Sequence, residues 1–250
     1  MRKLIPTALA MAIAWTSLAA QAVEQYVDTA MQAQVRQADK AIDSTRHGAE
    51  ITSFAGIKPG QTVVDFIPGE GYWTRIFSGV VGTKGKVIDV WPAAMVAPGA
   101  KAEGAMKVLI SDKGLSNVSA VPSDLKAIKL SELVDVFFTS QNLHDLPTVF
   151  LGNVDITAFS KNVYDVLKPG GRFVVVDHAG AAGTGTTQVD TLHRIEPEAA
   201  KNAVVAAGFV FVGQSKVLAN PADNHELKVF DPAIKGHTDK FAYVFEKPAK

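Results

Sequence analysis

Beyond residue 60 the chain alternates between two kinds of apolar pattern. Short unbroken runs, Val63-Val64-Asp65-Phe66-Ile67, Val134-Asp135-Val136-Phe137-Phe138-Thr139 and Phe173-Val174-Val175-Val176, are strand-forming on both faces and read as strands covered from both sides. The segments between them are longer and carry polar residues at helical spacing. The pattern predicts strands at Thr62–Phe66, Lys86–Val90, Asn117–Val121, Val134–Thr139, Arg172–Asp177, Phe209–Val217 and Phe241–Phe245, with a helix at about 197–207 that ends at Gly208. Residues 24–45, rich in Ala and Gln, read as one amphipathic helix that packs on the domain as a lid or brace. Such alternation predicts an α/β domain with helices on both faces of a mostly parallel sheet.

One junction carries more information than the rest. The first strand runs directly into Pro68-Gly69-Glu70-Gly71, and a helix follows at Tyr72-Trp73-Thr74-Arg75. Glycines let the backbone approach a ligand closely, and a helix N-terminus aims unpaired N–H groups at it. The same Pro-Gly-Xaa-Gly spacing also makes an ordinary turn, so the rest of the chain must decide. Two irregular stretches, Ala179–Thr191 and Ala219–Lys240, are long for a compact domain and should emerge near the carboxyl ends of the strands, as substrate-covering loops or as flexible surface.

The N-terminus changes the compartment. Arg2 and Lys3, the apolar stretch Leu4–Leu18 and the small residues Ala20-Gln21-Ala22 form a signal peptide, residues 1–22, with cleavage expected after Ala22. The apolar run is shorter than the roughly 20 residues that span a bilayer, so no stable membrane insertion is expected after cleavage. The chain has no cysteine, which excludes disulfides, thiolate metal sites, cysteine nucleophiles and a cysteine-linked lipid, and suits an oxidising periplasmic or secreted setting. Without Arg2 and Lys3, 23 basic residues face 25 acidic ones in a mature chain of 228 residues. That balance gives no attraction to nucleic acid and favours a small-molecule substrate.

Taken together, Asp65–Gly71 and the turn Leu167-Lys168-Pro169-Gly170-Gly171 resemble the first motif, and the turn before the fifth strand, of class I S-adenosylmethionine-dependent methyltransferases. The words Ile67–Arg75, Gln141–Leu146, Asp177-His178-Ala179, Leu192–Ile195 and Phe230–Asp239 resemble a group of exported, predicted methyltransferases within that superfamily. The resemblance spans about residues 40–248. It implies one Rossmann-like domain over residues 46–250, preceded by the brace at 23–45, with seven strands of which the last is antiparallel. It also implies S-adenosylmethionine as cofactor, with Asp65, Pro68, Gly69 and Gly71 around its methionine part and Tyr72 and Trp73 as walls. Asp124 would accept from the adenine amine, and Asn142 would lie beneath the cofactor.

The chain departs from that pattern twice. Ile67 stands where the first motif usually has another glycine, and the second strand ends in Val90-Trp91-Pro92 rather than in an acid that grips the ribose. Asp89 lies two residues back on the same face, about 6.5 Å further away. Either it reaches the ribose or Trp91 stacks on the cofactor.

Candidate chemistry gathers at two neighbouring strand ends. His144 and Asp145 follow the fourth strand and Asp177 and His178 end the fifth, at the edge where open α/β sheets bind ligands. His144 is the candidate general base for an acceptor hydroxyl or amine, oriented by Asp145 or Asp177. The alternative for each is local backbone satisfaction, with Asp177 capping a turn and His178 meeting a loop carbonyl. His193 and Arg194 are candidate substrate contacts or else a solvated turn. Two further functions stay open: a non-catalytic ligand-binding protein on this scaffold, and a metal enzyme. The metal enzyme would hold a divalent ion with two histidines and one carboxylate drawn from His144, Asp145, Asp177, His178, His193 and His225.

Overall fold

The computed structural model describes residues 23–249; the expected signal peptide and its cleavage point lie outside them. The strands are β1 Thr62–Phe66, β2 Lys86–Pro92, β3 Val118–Ser123, β4 Val134–Ser140, β5 Leu167–His178, β6 Val210–Ser215 and β7 Lys240–Glu246. They form one sheet in the order β3-β2-β1-β4-β5-β7-β6. β7 runs antiparallel to both of its neighbours, and the other pairs are parallel. Every residue of β1 is buried, whereas the edge strand β6 alternates exposed with half-buried positions. Chain order moves outward from β1 through β2 to β3 and then returns to β4 on the other side of β1. That reversal opens a crevice at the carboxyl ends of β1 and β4, the switch point at which doubly wound sheets bind ligands.

The pleat sends successive side chains to opposite faces and so builds two cores. Phe66, Phe137, Phe173 and Phe245 face α6 (Ile156–Val166) and α8 (Pro197–Ala206), which contribute Phe159, Val163 and Val204; α5 (Glu103–Ser111) precedes β3, and the short α7 (Val189–Leu192) follows β5. Phe138, Val174 and Val244 face the other way, onto Ile51 of α3 (Gly48–Ala55) and onto Trp73, Ile76 and Phe77 of α4 (Tyr72–Val81). β1, β4 and β7 fall where the pattern places them to within a residue at either end, and α8 does too.

Two segments differ from the pattern. Residues 24–45 do not form one helix. They break into α1 (Gln25–Met31), the 3₁₀ turns Gln34–Arg36 and Asp39–Ile42, and α2 (Asp43–Arg46). The cause is a polar anchor that helical periodicity does not register: Arg36, fully buried, donates to the Met31 carbonyl at 2.8 Å and to Asp43 at 2.6 Å. Asp39 in turn accepts both Arg75 Nε at 2.7 Å and Nη2 at 2.5 Å. Second, Lys168–Gly171 lies inside β5 rather than before it. Gly170, at φ +75°, donates to the Lys247 carbonyl, and the β4–β5 register jumps across this stretch, from Leu167 paired with Val134 to Arg172 paired with Val136.

Candidate functional site

β1 delivers its last residues into a turn of unusual backbone. Ile67, Gly69 and Gly71 all have positive φ (+52°, +60° and +81°) before α4 begins. At Gly69 a Cβ would meet nothing within 4 Å, so conformation alone demands glycine and the backbone stays open on that side. At Gly71 a Cβ would also lie 2.1 Å from Leu109 Cδ2. Ile67 is the anomaly, a β-branched residue held left-handed; its N–H donates to the Val90 carbonyl at 2.9 Å.

Beside this turn lies a cavity of about 980 Å³, lined by Ile67, Gly69, Trp91, Met95, Asp124 and Phe150 among others. It is the size of a nucleoside-scale pocket, whose range reaches roughly 1,000 Å³. Trp91 is buried at its wall, and its indole N–H finds no acceptor among the described residues. Asp124 stands just past the end of β3, the strand beside that of Trp91, and one of its carboxylate oxygens accepts the Lys126 N–H.

Several residues expected around the cofactor face elsewhere. Asp89 does not reach toward the cavity: it is fully buried, and its Oδ1 lies 3.0 Å from the Thr74 hydroxyl, which also donates to Asp65 Oδ2 at 2.8 Å. Asp65 thus lies beneath the turn rather than in the cleft. Tyr72 does not line this cavity; its hydroxyl donates to Asp43 at 2.8 Å and its ring lies under the guanidinium groups of Arg36 and Arg46. Asn142 acts as a joint, its amide nitrogen donating to the carbonyls of Phe66 and Ser140 at 3.0 and 2.9 Å, so it ties the ends of β1 and β4 together. Pro68 supplies the carbonyl that accepts the Gly71 N–H and closes the turn.

On the other side of that joint is a second cavity, of about 540 Å³, lined by Arg46, Trp73, Ser140, Gln141, His178 and Phe230 among others. The Trp73 indole N–H and the Ser140 hydroxyl, both buried, have no hydrogen-bond partner among the described residues. Gln141 holds φ +62°, with its N–H on the Val176 carbonyl at 2.7 Å. Of the two long loops, 219–240 contributes Val229, Phe230 and residues 235–238 to this wall. The 179–191 loop is folded back instead, with Gly183 and Gly185 donating to Glu196.

The strand ends do bring the histidines and aspartates together. Asp177 accepts three hydrogen bonds: Oδ1 from His144 Nδ1 and from the His178 N–H, each at 2.7 Å, and Oδ2 from the His144 N–H at 2.8 Å. His144 Nε2 then lies 3.2 Å from Asp145 Oδ1, and that same oxygen is 3.5 Å from His193 Nδ1. His178 turns its Nδ1 to the Thr238 hydroxyl at 2.8 Å. Burial opposes a charge on His144, but Asp177 and Asp145 outweigh it and push the imidazole up to about 10. His144 thus rests as the cation near neutral pH rather than as the free base expected from sequence. Burial and the neighbouring His144 charge push His178 and His193 the other way.

Arg194 is neither a substrate contact nor a solvated turn. It is fully buried and spends its guanidinium on the Leu227 and Ala179 carbonyls and on Asp223, at 2.9–3.1 Å. His193, by contrast, is half-buried at φ +54°, its Nδ1 toward Asp145 and its ring 4.9 Å from that of Phe230. Sequence reasoning missed Thr74, Arg46, Gln141 and Thr238 as site residues. Gln141 and Thr238 lie within the words that carry the family resemblance, but nothing in their residue type marks them.

Sheet order, the glycine turn at the switch point and the cleft beside it define the class I S-adenosylmethionine-dependent methyltransferase fold. A solved S-adenosylmethionine-dependent methyltransferase from Aquifex aeolicus superposes with a TM-score of 0.54, at 20% identity, over 86% of this chain and 100% of that one. The [4+2]-cyclase SpnF superposes at 0.58, with 16% identity, over 82% of this chain and 81% of its own, so the fold carries more than one chemistry. The profile of the ubiE/COQ5 methyltransferase family matches residues 43–189, and the chain belongs to that family. A ubiquinone/menaquinone biosynthesis C-methyltransferase UbiE from Shewanella sp. strain W3-18-1 is 31% identical over 138 residues, which is 53% of this chain and 47% of that protein. The chain thus spans about half the length of the curated relatives it matches.

Proposed function

We propose that this chain transfers a methyl group from S-adenosylmethionine to a small acceptor, and that it does so outside the cytoplasm. The observation that carries the reading is the cleft at the switch point, bounded by a left-handed glycine turn on one side and by Trp91 and Asp124 on the other. The residues fit the cofactor. Gly69 leaves its backbone uncovered toward it, Asp124 keeps a carboxylate oxygen for the adenine amine, and Trp91 offers an indole face and an unpaired N–H to the ribose in place of the acid that Asp89 does not supply. When bound, S-adenosylmethionine supplies an electrophilic methyl group on a sulfonium.

The acceptor side is the second cavity. Trp73, Phe230 and His178 give it flat aromatic walls, and the unpaired Trp73 N–H and Ser140 hydroxyl are suited to hold an oxygen-bearing ring. The curated relatives are named as C-methyltransferases of quinone biosynthesis, which agrees with an aromatic acceptor. His144 enters this reading as a fixed, charged partner that holds Asp145 in place, and Phe230, whose ring packs on His193, joins the cavity wall to that cluster. Export rests on residues 1–22 and the resemblance to exported methyltransferases.

Calorimetric titration of the chain with S-adenosylmethionine and with its demethylated product tests the reading. Micromolar binding is expected in the folded protein, and Gly69→Val should abolish it by forcing a β-branched side chain into a left-handed site that opens on the cleft. No heat with either ligand, from a folded sample, would sink methyl transfer and leave a ligand-binding protein on the same scaffold. Mass analysis of the protein recovered from the periplasmic fraction should give a chain starting at Val23; an intact N-terminus in the cytosol would remove the export claim.

A further inference from the structure

We propose that His144, Asp145 and His193 form a facial site for a first-row divalent transition ion, of the zinc or ferrous kind, at the carboxyl edge of β4. One donor atom from each of His144, Asp145 and His193 lies within 4.8 Å of the other two. The two edges that share Asp145 Oδ1 measure 3.2 and 3.5 Å. Metal–nitrogen and metal–oxygen bonds of about 2.0–2.2 Å set neighbouring donors about 3.0–3.5 Å apart, so those edges already have the length a bound ion requires.

The outer shell is built as well. Both oxygens of the fully buried Asp177 are engaged, with Oδ1 on His144 Nδ1 and the His178 N–H and Oδ2 on the His144 N–H. A carboxylate fixed in this way holds the proton on Nδ1 and directs Nε2 toward Asp145 and His193, where a bound ion takes the place of the Nε2 proton; this is the arrangement found behind metal-binding histidines. Phe230 packs on the His193 ring at 4.9 Å and limits where it swings. His178 is excluded from the set because its Nδ1 is committed to Thr238. Two imidazoles and one carboxylate select zinc, iron, cobalt, nickel or copper over magnesium and calcium, and three protein donors leave positions for water or an acceptor oxygen. The inference stands on this geometry and does not need the cofactor to bind.

The test is Zn²⁺ calorimetry on the whole chain after exhaustive dialysis against chelator, with Co²⁺ absorption in the visible as a second readout. One ion per chain is expected. His193→Asn, chosen because asparagine tolerates φ +54°, and Asp145→Asn should each weaken binding by more than about 100-fold, and Asp177→Asn by about 10- to 100-fold. His225→Asn, in a separate pair with Asp239 at 2.9 Å, should leave it unchanged. Should a variant misfold, pulsed EPR of the Cu²⁺-loaded wild type counts the ligands directly: coupling to two imidazole nitrogens is expected, and one or none overturns the site. Absence of saturable binding, or binding indifferent to His193→Asn in a folded protein, also overturns it. S-Adenosylmethionine titrations with and without metal keep the two proposals apart, since either ligand can bind while the other fails.

Discussion

Thr74 has a single hydroxyl hydrogen and two carboxylates within reach, Asp65 and Asp89, all three buried. It donates to one, so the other carboxyl must bring its own proton and donate to the hydroxyl. Burial pushes Asp65 up to about 7, and burial together with the Asp65 charge pushes Asp89 up to about 8. An unfolded aspartate titrates near 3.9. Both groups therefore bind protons more tightly in the fold, and their contribution to stability is complete below about pH 4 and is lost as pH rises through about 7–8. Asp89→Asn keeps the shape without the titration. It should melt like the wild type near pH 4 and a few degrees higher at pH 8, each kcal/mol being worth about 2–4 °C in a domain of this size. A thermal scan of both proteins at the two pH values checks this. At the same scale, Trp91→Phe should keep a ring in the cleft wall while removing its unpaired donor. One lost hydrogen bond of about 1 kcal/mol predicts S-adenosylmethionine affinity several-fold weaker, measured by the same titration.

Among the elements, the contact between α1 and α4 is open to disruption by a single change. A Cβ on Gly79 would stand 2.9 Å from Ala30 Cβ and 3.2 Å from Ala30 Cα, so the two helices meet backbone to backbone. Gly79→Val should cost about 1–3 kcal/mol as overpacking and lift α1 away, read as a lower denaturation midpoint and new cleavage by protease near residues 25–31. The same region shows where the sequence was legible and where it was not. Its apolar residues Val27 and Ala30 do pack on α4 as an amphipathic helix should. The breaks after Met31 come from Arg36, Asp39, Asp43 and Arg75, whose pairings span five, seven and 36 residues and so leave no helical period. The strands were legible because burial on both faces writes itself as an uninterrupted apolar run, and β6, exposed on one face, is the strand whose ends the pattern overran.

For the whole molecule, the two long loops are tied to the sheet through one buried ion pair. Arg194, next to His193, joins Asp223 of the 219–240 loop and the Ala179 carbonyl at the end of β5. Arg194→Met would leave the buried Asp223 carboxylate without its countercharge, with only the His225 and Asp239 N–H groups as donors, and breaking such a pair typically costs about 3–5 kcal/mol. Arg194→Met with Asp223→Leu should cost less than the sum of the single changes, because the pair then disappears together. Chemical denaturation of the three variants measures this. Both single variants should also loosen the wall that Val229 and Phe230 give the second cavity.

The sequence by itself determined the α/β class, most strand positions, the glycine turn and the meeting of His144, Asp145, Asp177 and His178 at one edge. These follow from local rules: burial sets the apolar runs, and parallel strands bring their carboxyl ends to the same side. Only the tertiary structure decided which way each polar side chain faces. Asp89 turns inward because Thr74 and Asp65 meet it there, Arg194 is spent on a loop because Asp223 folds over it, and His193 rather than His178 completes the cluster because Thr238 holds His178 away. Each outcome depends on a partner brought from a distant part of the chain. A side chain's direction is chosen by the bond it makes, and that bond exists only once the sheet has closed.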